Sequence, residues 1–170
     1  MINTQMQSFQ PTLRGKLVQL RPLKDFDHDA LFIVASDPLI WEVHPVPDRY
    51  KPEGFKKYFD FIINTGGALA VEDLKGNLIG SSSFYGLNPQ ASEIIIGYTF
   101  LARKYWGGKY NKDLKSLMLN HAFQFVDTAI FEIGEQNIRS RRAIEKIGGQ
   151  FLRSKIKENK PYVVYQIRKS

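Results

Sequence analysis

Hydrophobic and polar residues alternate along several short stretches of this chain and recur at helical spacing along others. Period-two alternation predicts strands, and three-and-four spacing predicts amphipathic helices. Residues 52–64 place Phe55, Tyr58, Phe59 and Ile62 on one helical stripe. Residues 110–126 show a clear stripe formed by Leu114, Leu117, Met118, His121, Ala122 and Phe125. In chain order, the pattern predicts strand 17–22, helix 26–36 capped by Asp25, helix 52–64, strands 68–74, 78–85 and 93–101, helix 110–126, strand 129–133, helix 137–147, and strands 150–156 and 161–168.

This order of elements predicts an α+β fold with a central mixed, mostly antiparallel, twisted sheet. About seven strands and about four helices are expected. No low-complexity tract, internal repeat or Gly/Ser-rich linker divides the 170 residues, so we expect one domain over residues 1–170. Residues 1–14 precede the first predicted strand and are expected to be a flexible N-terminal extension.

Composition narrows the class of protein. Hydrophobic residues make up 43% and aromatic residues 13%, which predicts a packed interior rather than disorder. The chain has no run of about 18 apolar residues and no apolar secretory segment at its start, so we expect a cytoplasmic protein with no membrane partner. Cysteine is absent and the three histidines are scattered, so neither a thiolate site nor a metal site is expected.

The formal net charge of +7 favours an anionic partner, such as nucleic acid, an acidic surface or a phosphorylated small molecule. The alternative is a basic protein with no charged partner. The run RSRR at 139–142 suggests nucleic acid, but it falls on a short predicted helix, where it is more simply a solvated or phosphate-facing surface. No nucleic-acid-binding motif accompanies it, so we expect no nucleic-acid partner.

The most informative stretch is 93–120, EIIIGYTFLARKYWGGKYNKDLKSLMLN, which predicts a strand, a glycine-containing loop and a long helix. Such a loop points free backbone N–H groups at one spot, and the helix dipole adds partial positive charge there. The loop therefore predicts a site for an anionic group, above all a phosphate. The alternative is that Gly107 and Gly108 only turn the chain.

Three segments in order resemble one known family. They are LRGKLVQLRPLKDFDHDALFIVASDP, IGYTFLARKYWGGKYNKDLKSLMLNHAF and NIRSRRAIEKIGG. In this order they resemble the GNAT N-acetyltransferase superfamily, closest to its ribosomal-protein-alanine, Rim-type branch, and the resemblance covers almost the whole chain. The resemblance implies an acetyl-CoA-dependent enzyme that acetylates a primary amine, either a protein N-terminus or a small molecule. It implies no metal, and a homodimer is left open.

The resemblance also implies which residues hold acetyl-CoA. The loop that binds the pyrophosphate corresponds to Trp106, Gly107, Gly108, Lys109, Tyr110, Asn111 and Lys112. Lys109 and Asn111 stand where the family usually has small residues, so the Lys109 ammonium either meets a phosphate or obstructs the loop. The strand end at Thr99, Phe100 and Leu101 corresponds to the backbone that binds pantetheine like an added strand.

The catalytic assignment rests on the second helix and on one carboxylate. By resemblance, Asn137 contacts pantetheine and Ser140 protonates or hydrogen-bonds the leaving thiolate, because Ile144 stands where many members have a tyrosine. The alternative for Asn137 and Ser140 is helix capping. Glu93 is the leading candidate for the base that takes the amine proton. The alternative is that Glu93 is an exposed charge at the edge of the sheet.

Several weaker candidates complete the prediction. Glu42, Glu72 and Glu132 are other candidates for the base. The residues Trp41, Tyr50, Phe84, Tyr162 and Tyr165 could line an acceptor cleft or could belong to the core. The missing tyrosine and the departure at Lys109 keep a second class open, a protein that binds acetyl-CoA without turning it over.

Overall fold

All strands of the described residues belong to one eight-stranded sheet. The structure, a computed structural model, describes residues 4–170. The strands are β1 Leu13–Arg14, β2 Val18–Pro22, β3 Ala68–Asp73, β4 Leu78–Asn88, β5 Glu93–Leu101, β6 Thr128–Gly134, β7 Gln150–Lys157 and β8 Lys160–Arg168. The helices are α1 His28–Ala35, α2 Pro52–Asn64, α3 Lys109–Ala122 and α4 Ile138–Lys146.

The strands lie in the order β1-β2-β3-β4-β5-β6-β8-β7. The pair β5–β6 is parallel, and the other pairs are antiparallel. This confirms the predicted α+β fold with a mixed, mostly antiparallel sheet and four helices. The described residues form eight strands rather than about seven, because β1 has only two residues and is too short to show alternation.

Helices cover both faces of the sheet and define two separate cores. On one face, α1 and α2 pack through Leu31, Phe55 and Ile62, all fully buried. On the other face, α3 and α4 pack through residues such as Leu114 and Ile144. We call these the α1/α2 face and the α3/α4 face.

Two predicted helices differ at their ends from the observed ones. The segment 26–36 begins as a 3-10 turn and becomes α-helical only at His28. The Asp27 carboxylate, not that of Asp25, accepts a hydrogen bond from the Lys24 N–H at 2.8 Å. The helix α3 ends at Ala122 instead of reaching residue 126, because the chain closes there in tight turns. Phe125 is consequently exposed rather than part of the buried stripe.

The segment before β1 is packed on the sheet from Thr4 onward. Residues Thr4–Phe9 form a 3-10 helix, and Met6 and Phe9 are buried in the core on the α3/α4 face. The Phe9 ring centroid lies 5.3 Å from that of Phe84. The first three residues of the predicted extension lie outside the described residues.

The outermost strand, β7, is exposed along nearly its whole length. Phe151 and Ile156 are more than half exposed, and basic residues stand between them, including Arg153 and Lys155. This strand pairs with β8 on one side and has no described strand on the other. Within residues 4–170, no helix combines the length and apolar character needed to cross a membrane.

Candidate functional site

A wedge-shaped cleft opens where the two parallel strands separate. Strands β5 and β6 pair at three positions, Glu93 with Thr128, Ile94 with Ala129 and Ile95 with Ile130, and then diverge. The strand β4 continues to hold β5 as far as Leu101, and β8 holds β6 as far as Gly134. Residues 96–101 and 131–134 therefore line the two sides of an opening in the middle of the sheet.

A bulge in β5 lies at the point of divergence. The register with β4 shifts by one residue between Ser83–Gly97 and Ser81–Phe100, and Tyr98 has a φ of 53°. A tyrosine in this left-handed region carries backbone strain that the surroundings must offset. The Tyr58 hydroxyl donates to the Tyr98 carbonyl at 2.6 Å, which fixes the bulge from α2.

The loop between β5 and α3 presents a row of free backbone donors. The N–H of Trp106 donates to Arg103 and that of Lys112 donates to Gly108. Between them, the N–H groups of residues 107–111 have no acceptor among residues 4–170. The predicted donors at Trp106 and Lys112 are thus used within the protein, whereas five consecutive donors remain for a ligand at the N-terminus of a 14-residue helix.

The two glycines of this loop are required by its shape. Gly107 and Gly108 have φ values of 114° and 104°, which other residues adopt only with strain. A Cβ placed on either one meets no described atom within 4 Å, so the loop surface is open. The Trp106 indole N–H donates to the Leu101 carbonyl at 2.9 Å and ties the loop to the end of β5.

Basic residues surround the loop. Lys109 and Lys112 are exposed on the first turn of α3. The Arg139 guanidinium, on the first turn of α4, stacks on the Trp106 ring at 3.5 Å from its centroid. Arg139 therefore links the two helix N-termini at the mouth of the cleft, where an anionic ligand gains from both the free donors and the positive charge.

A buried lysine lies behind the strand end. The Lys115 ammonium nitrogen donates to the Thr99 hydroxyl at 2.7 Å, and that hydroxyl lies 2.7 Å from the Ser82 hydroxyl. Lys115 is 5% exposed, and burial lowers its pKa to about 7. Lys115 was not among the predicted site residues, and only the backbone of Thr99 was predicted to bind a ligand, whereas its hydroxyl has two partners.

Glu132, one of the weaker candidates for the base, lies at the cleft. Glu132 follows the last β5–β6 pair by two residues, and its side chain is 7% exposed. Its oxygens lie 3.2 Å from the Lys155 ammonium and 3.8 Å from that of Lys157. The structure does not bring Glu93 to this place: Glu93 pairs with Thr128, four residues or about 13 Å along the strand from Glu132.

The first turn of α4 places Asn137 and Ser140 beside the end of β6. The Asn137 side chain is buried and accepts from the Ser140 N–H at 3.4 Å, so Asn137 is the helix cap. The Ser140 hydroxyl has no hydrogen-bond partner among the described residues. Ile144 is 4% exposed in the core, so no hydroxyl lies at that position.

The predicted acceptor-cleft aromatics divide between the two faces. Phe84 and Tyr165 are buried in the core on the α3/α4 face. Trp41 is buried on the α1/α2 face, where Tyr50 also packs. Tyr162 lies near the end of β6 and faces Lys157, whose ammonium is 5.6 Å from its ring centroid.

A further cluster on the α1/α2 face was not anticipated. The Arg49 guanidinium carbon lies 5.0 Å from the Tyr58 ring centroid, 5.4 Å from that of Tyr98 and 5.6 Å from that of Trp41. Arg49 is 9% exposed. Its position gave no signal in the sequence, because arginine is ordinarily a surface residue. Across the described part of the chain, no group of three or more His, Asp or Glu side chains could hold a metal ion.

Comparison with known proteins identifies relatives of this arrangement. A family model described as an acetyltransferase (GNAT) domain matches residues 18–150. That range includes the cleft, the loop, Glu132 and the first turn of α4. Among curated protein sequences, none matches this chain significantly.

Solved structures share the fold at low sequence identity. A GCN5-related N-acetyltransferase from Brucella melitensis has a TM-score of 0.76 and 19% identity over 94% of this chain and 79% of its own. An acetyltransferase from Agrobacterium tumefaciens has a TM-score of 0.74 and 22% identity over 94% and 95%. Mycobacterium smegmatis RimJ in complex with CoA-disulfide has a TM-score of 0.75 and 15% identity over 95% and 88%.

Proposed function

This chain belongs to the GNAT acetyltransferase family, and from that premise we propose that it transfers the acetyl group of acetyl-CoA to a primary amine. The acceptor is a protein N-terminus or a small-molecule amine, and it reacts by direct attack while both substrates are bound. The observation that carries the proposal is the row of five free N–H groups at residues 107–111, placed at the mouth of the cleft between β5 and β6.

The residues of the loop fit the anionic part of acetyl-CoA. The free donors and the N-terminus of α3 bind the pyrophosphate, and Lys109 and Lys112 add positive charge. The amide-rich arm lies along the diverging end of β5, at Thr99, Phe100 and Leu101, where the edge toward β6 has no described strand. Asn137 holds the first turn of α4 against that arm.

Two side chains handle protons in the reaction, which joins the amine nitrogen to the acetyl carbon and releases the CoA thiol. The amine must be neutral to attack, and Glu132 takes its proton directly or through a water molecule. Glu132 replaces Glu93 in this role because it lies at the divergence of the strands and on the same sheet face as the bulge. The Ser140 hydroxyl hydrogen-bonds or protonates the leaving sulfur.

The first test is binding followed by turnover. Acetyl-CoA and free CoA should each raise the thermal unfolding temperature of the purified protein, whereas an oligonucleotide should not. Release of free thiol in the presence of a panel of amines then reports transfer. Stabilisation by CoA without thiol release from any amine would favour the second candidate, a protein that binds acetyl-CoA but does not turn it over; the buried Ile144 at the tyrosine position is the observation that favours it.

Replacing Lys109 by proline should weaken acetyl-CoA binding about 10- to 100-fold. Lys109 is the first residue of α3, where proline fits the helix, so the change removes one N–H donor with little effect on the fold. A hydrogen bond to a charged group contributes roughly 1.5–3 kcal/mol. Calorimetry measures the affinity.

The matched control is Lys109→Ala, which removes the same side chain and keeps the N–H group. Equal affinities for the proline and alanine variants would place the phosphate elsewhere. The alanine variant also resolves the role of the ammonium. A loss of affinity that is larger at low salt means that it meets a phosphate, and a gain means that it obstructs the loop.

Replacing Ser140 by alanine should lower the turnover number about 10- to 100-fold while acetyl-CoA affinity stays nearly unchanged. General acids contribute typically about 10²–10⁴-fold, and a serine hydroxyl belongs at or below the low end. Steady-state kinetics with a productive amine and calorimetry measure the two quantities. Ser116→Ala, at an exposed position on α3, is the control. Turnover equal to that of the control would leave solvent as the proton source.

A further inference from the structure

Arg49 is a buried cation that pairs with no carboxylate of the described residues. It is 9% exposed, and no Asp or Glu carboxylate among residues 4–170 lies within ion-pairing distance of it. Burying an unpaired charge costs free energy unless something compensates. The rings of Trp41, Tyr58 and Tyr98 supply part of that compensation through cation–π contacts at 5.0–5.6 Å.

The nearest polar neighbour does not accept a hydrogen bond from Arg49. His44 Nε2 lies 3.3 Å from Arg49 Nη1. However, the Val46 N–H donates to His44 Nδ1 at 2.9 Å, so the neutral ring carries its proton on Nε2. Burial and the charge of Arg49 lower the pKa of His44, which keeps the ring neutral near pH 7. Apart from this contact with His44, no group among residues 4–170 accepts a hydrogen bond from Arg49, so the guanidinium can bind an acceptor from outside the chain.

The position of Arg49 relates it to the acetyl-transfer cleft. Its guanidinium lies 5.4 Å from the ring of Tyr98, the bulge residue at the divergence of β5 and β6. The Lys157 ammonium also lies 5.4 Å from that ring and is 3.8 Å from the Glu132 carboxylate. Arg49 and Lys157 thus both contact the Tyr98 ring, and Lys157 connects that ring to the Glu132 carboxylate.

The charges around this ring favour one kind of acceptor. Lys155 and Lys157 pair with Glu132, whereas Arg49 has no carboxylate partner among residues 4–170, so this side of the cleft has an excess of positive charge. A polyamine would meet repulsion there. An acceptor that carries a carboxylate in addition to its amine would pair with Arg49 in the bidentate geometry that guanidinium favours.

We propose that the acceptor is an amine that bears a carboxylate, and that Arg49 binds that carboxylate while the amine faces Glu132. This inference rests on the proposed acetyl transfer for the identity of the site, but it concerns binding of the acceptor. The aromatic rings around Arg49 exclude water from the ion pair and so strengthen it. Arg49 determines specificity in this arrangement and takes no part in proton transfer.

The test compares acids with their amides. A panel of α-, β- and γ-amino acids and the matching carboxamides is titrated into the CoA-bound protein by calorimetry. At least one acid should bind 10-fold or more tightly than its amide. In Arg49→Met that acid should bind as weakly as its amide, whereas in Arg49→Lys it should keep part of its advantage. Arg153→Met, at an exposed position on β7, should behave like the wild type.

The outcomes separate this inference from the proposed function. The inference is overturned if acids and amides bind equally to the wild type, or if no acid binds. It is also overturned if Arg49→Met loses affinity equally for the acid and for its amide. If Arg49→Met does not fold, the acid–amide comparison in the wild type and in Arg49→Lys still decides. Binding of an acid that depends on Arg49, without thiol release when acetyl-CoA replaces CoA, would support the inference and contradict acetyl transfer.

Discussion

Replacement of Glu132 by glutamine is expected to lower the turnover number for acetyl transfer about 10²- to 10⁴-fold, the range for loss of a general base. Glutamine has nearly the same shape as glutamate but cannot take the proton of the attacking amine. Acetyl-CoA affinity should change little, because the loop at residues 107–111 is untouched. Thiol release at saturating acetyl-CoA and acceptor measures the effect.

Two controls distinguish the base from other roles of Glu132. Glu93→Gln makes the same change about 13 Å along the strands, and it should retain wild-type turnover. Lys155→Met removes an ion-pair partner of Glu132 and leaves the carboxylate in place. If Lys155→Met lowers turnover as much as Glu132→Gln does, the ion pair rather than proton transfer explains the loss. If Glu93→Gln lowers turnover and Glu132→Gln does not, Glu93 rather than Glu132 is the base.

Replacement of Lys115 by methionine is expected to stabilise the fold by about 2–5 kcal/mol at pH 7. Lys115 is buried without a carboxylate, and burial lowers its pKa from 10.5 to about 7. At pH 7 and below, folding must therefore bury an ammonium that water would solvate. Methionine fills similar space without charge, and the hydroxyls of Thr99 and Ser82 retain each other as partners. Chemical denaturation measures the free energy of unfolding.

The dependence on pH is the sharper signature of Lys115. Between pH 7 and 10.5 the unfolded chain holds a proton on this amine that the folded chain has released. The free energy of unfolding of the wild type therefore rises across this window, by at most about 1.4 kcal/mol per pH unit. The advantage of Lys115→Met should shrink as the pH rises. Lys112→Met, on the exposed side of the same helix, should show no such trend, and a flat difference for Lys115→Met would mean that its amine reaches water.

The fold could be predicted where the hydrophobic pattern is local. The bounds of α2 and its buried residues match the prediction. In a 13-residue amphipathic helix, the spacing of the apolar residues alone shows which face is buried. The hairpin of β3 and β4 could be predicted for the same reason, because Gly76 turns the chain between them at a φ of 90°. The predicted end of α3 was wrong because Phe125 continues the apolar spacing after the helix has stopped.

The loop before α3 could be predicted from the sequence, because glycines followed by a helical pattern leave a signal; its binding of acetyl-CoA stays a prediction. The family match over residues 18–150 confirms the GNAT resemblance stated from the sequence. The individual roles given to the loop residues, Asn137 and Ser140 stay predictions. The bulge gave no signal, because its left-handed residue is a tyrosine rather than a glycine.

Arg49 and Lys115 were not predicted as residues of the site, and Glu132 was only a weaker candidate for the base, for a physical reason. Burial of Arg49, Lys115 and Glu132 depends on elements distant in sequence, such as the ring of Tyr98 beside Arg49 and the hydroxyl of Thr99 beside Lys115. In the sequence each one looks like an ordinary surface charge. The choice between Glu93 and Glu132 likewise depends on where two strands part, which only the assembled sheet shows.

The exposed outer strand has a consequence for the behaviour of concentrated protein. The backbone groups along the free side of β7 form a template on which a strand of another molecule could add, and Phe151 and Ile156 would favour such addition. The interleaved Arg153 and Lys155 oppose it, because stacking two copies would bring like charges together. Salt screens that repulsion over about 8 Å at physiological ionic strength. Resistance to aggregation in this protein therefore depends on electrostatic repulsion along one strand, and concentrated salt weakens that protection.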